Sequence, residues 1–239
     1  MPGGVYSALS AMRIRLDDLD RIASDLANTE TAGYKTEQTS TEEARRAFQT
    51  ALDAAIDVTR GGGRTDFRPG TLTSTGRDLD VAIEGKGFFE IQTPAGLRYT
   101  RGGNFVRDTE GRLTTAEGLA VMGTAGEIKL PVGPVTVMGD GNLRVGQTIV
   151  AKLKVMEFAN EGDVTRETGT RFRAADGATP TESVTARLNG GMLEHSNASV
   201  IDRMATMTEV MRSFEGLQKG ISVLMNEIDG RAINELGRK

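Results

Sequence analysis

Few side chains in this sequence are suited to covalent or metal chemistry. The chain has no cysteine and a single histidine, His195, which directly follows Glu194. The lack of cysteine excludes disulfides, thiolate catalysis and cysteine-based zinc sites, and a lone histidine has no partners for a metal site or a catalytic triad. A functional interpretation would make His195 a base beside Glu194, but we predict a surface residue near a helix start. The sequence therefore predicts no catalytic residue, no cofactor and no metal site.

Two glycine-rich stretches have the composition of phosphate-binding loops, Gly85-Lys86-Gly87 and Gly139-Asp140-Gly141. Neither opens a predicted helix after a parallel strand, which is the context in which backbone N–H groups hold phosphate. We therefore predict a hairpin turn at each. Arg60, Arg64 and Arg68 surround a triple glycine, where we expect a solvated joint rather than a basic patch.

The acidic residues leave an enzyme alternative open. Most of them fall in predicted turns or on helix faces, where a solvated role is the default. The distance between two carboxylates cannot be read from a sequence, however, and a pair roughly 5–10 Å apart in a cleft is typical of glycoside hydrolysis. A carbohydrate-active or cell-wall-cutting enzyme is therefore one alternative, and a periplasmic binding or adaptor module is another.

Charge and hydropathy exclude several other classes of protein. The net charge of the 239 residues is -4, which provides no general attraction to nucleic acid or to an anionic membrane. No apolar run approaches the ~18 residues of a transmembrane helix. Arg13, Arg15, Asp17 and Asp18 would interrupt the apolar segment of a secretory signal peptide. We expect no nucleic-acid partner, no membrane insertion and no cleaved signal peptide.

Both ends of the chain carry long heptad patterns. The first pattern predicts a helix over about residues 4–29, and the second a helix that runs to about residue 236. Ser199 and Asp202 resemble a capping box at the start of the second helix. The first apolar seam consists of Val5, Leu9, Met12, Leu16, Leu19, Ala23 and Leu26, and the second of Val200, Met204, Met207, Met211, Phe214, Ile221, Met225, Ile228 and Ala232.

These seams need partners, because each would contribute on the order of 10–20 kcal/mol when fully buried. The two helices pair with each other, with other subunits, or with both; an internal helical hairpin without any assembly role is an open alternative. Methionine adapts to neighbours of different shape, which favours assembly. We predict that the inner packing sets Leu9, Met12, Leu16, Leu19 and Leu26 against Met207, Met211, Phe214, Ile221 and Met225.

The sequence between the helices changes from a helical to a strand pattern. Residues 40–56 predict a short amphipathic helix, and Gly61-Gly62-Gly63 a flexible joint. From Leu79 onward, larger apolar residues at every second position and frequent turn residues predict an antiparallel β-domain. The predicted fold is thus α+β, with coiled-coil-like terminal helices around a central hairpin-rich β-domain. We divide it into residues 1–35, a linker at 36–78, a β-domain at 79–192 and a C-terminal helix at 193–239.

The stretch LANTETAGYK, residues 26–35, ends the first helical pattern. It resembles the signature of flagellar rod and hook proteins. The stretches LDVAIEGKGFF at 79–89 and LEHSN at 193–197 are similar to other motifs of that family, in the same order. Within it, the compact middle and the tail DGRAINEL at 229–236 are most similar to the proximal-rod branch, with the distal-rod branch next.

The resemblance implies a structural subunit of the flagellar basal-body rod in the periplasm. Its partners would be copies of itself, neighbouring rod proteins and the flagellar type III export apparatus, and its terminal helices would line a helical tube. Residues 26–35 would form a junction at which the chain turns outward. Gly33 is expected to supply a positive φ and Asn28 and Thr31 to cap the helix end. Ala27 belongs to the same motif, and Tyr34 and Lys35 would face a neighbouring subunit.

Overall fold

The computed structural model describes residues 2–39 and 63–236, which form two compact units. The helical unit comprises the described residues within Met1–Ala27, Glu37–Arg64 and Ser199–Lys239. The β-rich unit comprises Asn28–Thr36 and Thr65–Ala198, so it includes most of the LANTETAGYK stretch. The amphipathic helix predicted at residues 40–56 and the first two glycines of the predicted joint lie outside the described residues.

The helical unit contains two long helices, α1 (Pro2–Ala27) and α2 (Val200–Leu236). Proline at the first helical position leaves no hydrogen bond unmade, because the first N–H groups of a helix have no acceptor within it. At the start of α2 the Ser199 hydroxyl accepts a hydrogen bond from the Asp202 N–H at 3.3 Å, as a capping residue does. The two helices predicted from the heptads are confirmed. Strands β1 (Glu37–Thr39) and β2 (Gly63–Thr65) pair beside them.

The β-rich unit is built from antiparallel strands, as predicted. The largest sheet has ten strands and runs along the path β15-β16-β6-β5-β9-β8-β7, with β10, β14 and β17 attached to it. A second sheet has the order β11-β12-β13, and β18 pairs with β4 and β19 with β3. The strands are β3 (Leu72–Ser74), β4 (Val81–Glu84), β5 (Phe88–Thr93), β6 (Gly96–Thr100), β7 (Val106–Arg107), β8 (Leu113–Thr114), β9 (Ala120–Gly123), β10 (Gly126–Glu127), β11 (Val135–Val137), β12 (Asn142–Val145), β13 (Thr148–Lys152), β14 (Val155–Glu157), β15 (Val164–Thr168), β16 (Arg171–Ala174), β17 (Thr181–Glu182), β18 (Arg187–Gly190) and β19 (Met192–Glu194).

Strand β5 separates two apolar cores, because successive side chains of a strand point to opposite faces. Phe89 lies in the larger core, where its ring meets that of Phe105 edge to face with centroids 5.0 Å apart. Phe88 lies in a smaller, aromatic core and meets Phe172 at 5.6 Å. Since both faces of β5 are covered, this strand forms the centre of the β-rich unit.

One of the two predicted hairpin turns is present, and two other details of the β-domain differ from the sequence predictions. The turn at Gly139-Asp140-Gly141 joins the paired strands β11 and β12 and is the predicted hairpin. The prediction for Gly85-Lys86-Gly87 is wrong, since it connects β4, which pairs with β18, to β5, which pairs with β6. The alternation predicted from Leu79 is also incomplete, because Asp80 and Ala82 are buried together with their apolar neighbours.

Candidate assembly site

The two helices contact each other through a face that contains both apolar and charged side chains. Among the described side chains, Ile22 of α1 and Val210 of α2 are buried apolar residues of this face. Asp25, also buried, forms an ion pair with Arg203, whose Nη1 lies 3.3 Å from its Oδ2. Neither Ile22 nor Val210 belongs to the predicted seams. A straight helix has about 3.6 residues per turn, so a contact between two straight helices drifts away from a strict heptad line.

A charged groove of about 420 Å³ adjoins this contact. Arg15 lies 3.2 Å from Asp18, which also pairs with Arg21. The charged lining residues are Arg15, Asp18, Arg21, Glu37, Arg203 and Glu209. The contact between α1 and α2 is therefore polar over part of its length.

A large part of the predicted seams stays exposed in the isolated chain. The exposed fractions are 50% for Leu9 and 47% for Leu16 on α1, and 55% for Met204 and 47% for both Met211 and Met225 on α2. Val200, Ile201 and Val223 of α2 and Ala23 and Ala27 of α1 are exposed as well. The remaining seam residues with described side chains are half-buried: Met12, Leu19, Leu26, Met207, Phe214 and Ile221. Val5, Ile228 and Ala232 lie on the helices.

The exposed residues of the predicted seams form a second apolar stripe on each helix: Leu9, Leu16 and Ala23 on α1, and Val200, Met204, Met211 and Met225 on α2. Successive residues of a helix turn by about 100°, so Leu9 and Leu16 lie almost on one line, as do Met204 and Met211. The same geometry places Leu16 about 120° from Ile22 and Met211 about 100° from Val210. Each helix thus covers one face within the chain and presents a neighbouring apolar face that the described residues leave uncovered.

In the β-rich unit, the LANTETAGYK stretch turns at Gly33 and docks on the backbone of residues 101–102. Gly33 has φ of 70°, so the predicted positive φ is confirmed. A Cβ atom at this position would lie 2.3 Å from the carbonyl carbon of Arg101, which only glycine avoids. The Gly33 N–H donates a hydrogen bond to the Glu194 carbonyl oxygen at 2.7 Å. The Thr31 hydroxyl lies 3.1 Å from the Asn28 side-chain oxygen, so these two predicted caps bond to each other.

Lys35 is fully buried in an ion cluster that the sequence did not predict. Its Nζ donates to Glu194 Oε1 at 2.6 Å and to the Arg68 carbonyl oxygen at 2.9 Å. The other Glu194 oxygen, Oε2, accepts from Arg101 Nε at 2.8 Å. Glu194 and Arg101 are buried too. We call Lys35, Glu194 and Arg101 the buried cluster.

The expectation that Tyr34 and Lys35 face a neighbouring subunit is wrong. Tyr34 is buried, and the guanidinium carbon of Arg166 lies 4.6 Å from the centre of its ring. Lys35 belongs to the buried cluster. Both residues fasten the chain to its own β-rich unit: the tyrosine ring packs beneath the Arg166 guanidinium, and the lysine stem supplies apolar surface while its ammonium pairs with Glu194.

Burial lowers the pKa of Lys35 below its ordinary value, and the ion pair with Glu194 opposes this change. Desolvation penalises the charged ammonium, whereas the nearby carboxylate favours it. Arg101 adds a second positive charge to the cluster and lowers the pKa of Lys35 further. The cluster therefore contains two cations around one carboxylate.

Glu194 and His195, the two residues considered above for catalysis, both make structural contacts. The Glu194 carboxylate is occupied by Lys35 and Arg101, so it is not the partner of His195 that a catalytic interpretation requires. His195 is half-buried, and its backbone N–H donates to the Thr71 carbonyl oxygen at 2.9 Å. In residues 2–39 and 63–236, no group of three or more acidic, histidine or cysteine residues is placed to hold a metal. Over the same ranges, no helix is both long and apolar enough to cross a membrane.

Comparisons with known proteins agree with the resemblance noted in the sequence. Residues 82–166 match the family model of the flagellar hook protein FlgE/F/G D1 domain, and residues 189–235 match that of the flagellar basal body rod FlgEFG protein C-terminal region. The chain is 32% identical to the flagellar basal-body rod protein FlgF of Caulobacter vibrioides, over 100% of this chain and 99% of the relative.

Two further relatives cover most of the chain. FlgF of Escherichia coli is 32% identical over 93% of this chain and 94% of its own length. The flagellar basal-body rod protein FlgG of Bacillus subtilis is 31% identical over 91% of this chain and 93% of its own length. With two family models in chain order and a full-length relative at this identity, the chain belongs to the family of flagellar basal-body rod proteins.

Proposed function

We propose that this chain is a FlgF-like subunit of the proximal rod and that it binds neighbouring subunits through the exposed apolar stripes of α1 and α2. As a flagellar basal-body rod protein it is a structural protein and not an enzyme, which removes the cell-wall-cutting alternative. The observation that carries the proposal is the exposure of Leu9, Leu16, Met204 and Met211, each at roughly half its surface in the isolated chain.

The energetics of these side chains support an interface. Fully burying one such side chain contributes about 1.5–3 kcal/mol, so covering the half that remains exposed contributes about 1 kcal/mol. Several of them together supply several kcal/mol for each subunit contact. A helical tube needs contacts between two different patches that repeat without closing. The stripes of α1 and α2 are two such patches, and we propose that they form the coiled-coil-like inner layer of the rod.

The proximal position rests on the relatives named FlgF, of which the Caulobacter protein matches the chain over its whole length. A FlgG-like distal subunit is the second candidate, because FlgG of Bacillus subtilis is nearly as similar. Deleting the gene and imaging basal bodies separates the two. Rods whose proximal segment is incomplete support the FlgF-like assignment, and rods with a complete proximal segment but no distal segment support the FlgG-like one.

We also propose that the subunit reaches the periplasm through the flagellar export apparatus, as the family resemblance implies. The test is fractionation of cells with and without a working export apparatus. Accumulation of the protein inside only the defective cells supports this route, and equal delivery to the periplasm in both contradicts it.

The interface is tested with Leu16→Glu and Met211→Glu, each introduced into the chromosomal copy of the gene. Both residues are about half exposed, so a charge there is tolerated in the isolated chain but is buried without a partner in a rod. We expect the variant proteins to fold and to be exported, but rods and motility to be lost. Met211 suits this test better than Phe214, which is half-buried within the chain.

Ala205→Glu is the matched control. Ala205 is exposed on α2 and lies about 100° or more from Met204 and Met211 around the helix. The Ala205→Glu substitution introduces the same charge as Met211→Glu on the same helix but away from the apolar stripe, and we expect rods to form. Normal motility of Leu16→Glu and Met211→Glu would contradict the proposed interface.

A further inference from the structure

Two chain segments lie side by side at the edge of the β-rich unit. One, residues 33–36, follows α1 in sequence, and the other, residues 194–197, precedes α2. The Asn197 N–H donates to the Tyr34 carbonyl oxygen at 3.4 Å, and the Thr36 N–H donates to Asn197 Oδ1 at 2.8 Å. Together with the bond from the Gly33 N–H to the Glu194 carbonyl oxygen, these contacts join the two segments along their length.

We infer that Lys35, Glu194 and Arg101 are positioning residues that hold these two segments at a fixed spacing, so that the chain leaves the β-rich unit toward both helices from one rigid point. Only the expected effect of these residues on rod assembly rests on the proposed function. Lys35 belongs to the first segment, Glu194 to the second, and Arg101 to the strand-end backbone on which Gly33 docks. The buried cluster is thus the one place where all three elements are joined by charged side chains in the described part of the unit.

The bonds of the cluster are directional. Arg101 Nη1 donates to the carbonyl oxygens of Gly85 at 2.9 Å and Gly87 at 2.7 Å, and Nη2 donates to that of Ile83 at 3.3 Å. The planar guanidinium is therefore fixed by backbone on one side and by Glu194 on the other. Glu194 Oε1 also accepts from the Gly70 N–H at 2.9 Å. A shift of either segment would break several of these bonds at once.

Charged groups suit positioning better than stabilisation at this site. Removing two cations and a carboxylate from water is costly, and the attraction between them offsets that cost only when the geometry is right. An apolar cluster would hold the segments with less directional preference. Close backbone packing adds to the constraint, since a Cβ at Gly70 would lie 1.9 Å from the His195 carbonyl oxygen.

The test is amide hydrogen exchange, followed by NMR, on the full chain carrying Lys35→Met. This variant keeps an unbranched apolar side chain, one atom shorter than that of lysine, and leaves Glu194 paired with Arg101. We expect exchange at Gly33 and Asn197 to accelerate about tenfold or more, while Leu113 in the core stays within about twofold. A purely structural contribution to stability would instead accelerate all three amides by the same factor.

Lys154→Met is the control, because Lys154 pairs with the buried Glu90 at 3.0 Å in the same unit and neither residue belongs to the two segments or to the buried cluster. It should leave exchange at Gly33 unchanged. If Lys35→Met fails to fold, Glu194→Gln serves in its place, since it keeps the shape and removes the carboxylate charge from both cations. Uniform acceleration, or unchanged exchange at Gly33 and Asn197, in the variant that folds would overturn the inference.

Motility tests the consequence in assembly. We expect Lys35→Met to reduce motility although it leaves both helices intact, and normal motility would overturn the positioning role. Failure of the proposed interface has a different signature: Met211→Glu cells would swim normally, while the exchange pattern of Lys35→Met would be unaffected.

Discussion

The helical unit and the β-rich unit differ in how completely they bury their apolar side chains. In the β-rich unit Phe89, Val121 and Phe172 are each 0% exposed, whereas Leu16 and Met204 of the helices keep about half of their surface. The β-rich unit also exposes apolar residues, but they are scattered over loops and two strands rather than aligned in one helical stripe: Leu97, Val132, Met138, Ile149 and Val184. The comparison indicates that the β-rich unit carries its own core, whereas the described part of the helices leaves a continuous apolar stripe exposed in the isolated chain.

The largest contrast should appear when one large apolar side chain is removed from each unit. Phe89→Ala leaves a cavity in a closed core and should lower the free energy of unfolding of the β-rich unit by about 3–5 kcal/mol. Met204→Ala removes a side chain that is 55% exposed and should change the free energy of unfolding of the helical unit by no more than about 0.5 kcal/mol. Urea denaturation of the two variants measures both effects. Equal losses would contradict the contrast between the units.

A smaller effect tests the docking of the LANTETAGYK stretch. Gly33 and Gly76 both have φ of 70°, but a Cβ at Gly76 meets nothing within 4 Å. Gly76→Ala should therefore lower the free energy of unfolding only by the cost of holding alanine in the left-handed conformation, about 1–2 kcal/mol. Gly33→Ala should cost a further ~1–3 kcal/mol, because the new methyl group collides with the Arg101 backbone. Thermal unfolding compares the two, and a Gly33 variant as stable as the Gly76 variant would show that the stretch does not dock as described.

The smallest effect concerns pH. Because burial lowers the pKa of Lys35, the folded chain releases this proton at a lower pH than the unfolded chain, whose lysine keeps the ordinary value of 10.5. Between these two values the unfolded state binds more protons, so stability rises with pH. The difference in free energy of unfolding between the native chain and Lys35→Met should therefore shift in favour of the native chain as pH rises toward 10.5. Urea denaturation over that range measures the slope, and a slope of opposite sign contradicts a lowered pKa.

The local features of the fold could be predicted from the sequence, and the packing between distant residues could not. Heptad spacing and capping residues predicted both helices, and turn residues predicted a hairpin-rich β-domain, because such signals act over a few neighbouring positions. The positive φ of Gly33 was foreseeable for the same reason. Lys35 and Glu194 are 159 residues apart, and nothing in the spacing of either residue indicates the other.

The buried status of Tyr34 and Lys35 illustrates this limit. A polar stretch after a helix is typical of an exposed junction, and tyrosine and lysine are common on surfaces. Their burial depends on three distant elements that supply a carboxylate, a guanidinium and backbone oxygens. One weak signal was present in the sequence: Glu194 belongs to LEHSN, a stretch that is similar to a motif of the rod and hook family. That similarity does not indicate that Lys35 is the partner of Glu194.

In the rod, we expect the exposed apolar stripes of the helices to become an interface between subunits. The native chain has no cysteine, so Met211→Cys introduces a single thiol into the stripe of α2. Its rate of modification by a water-soluble maleimide is measured in the isolated subunit and in purified basal bodies whose rods contain the variant. We predict rapid labelling of the isolated subunit and strong protection in the rod; equally rapid labelling in both would contradict this interface.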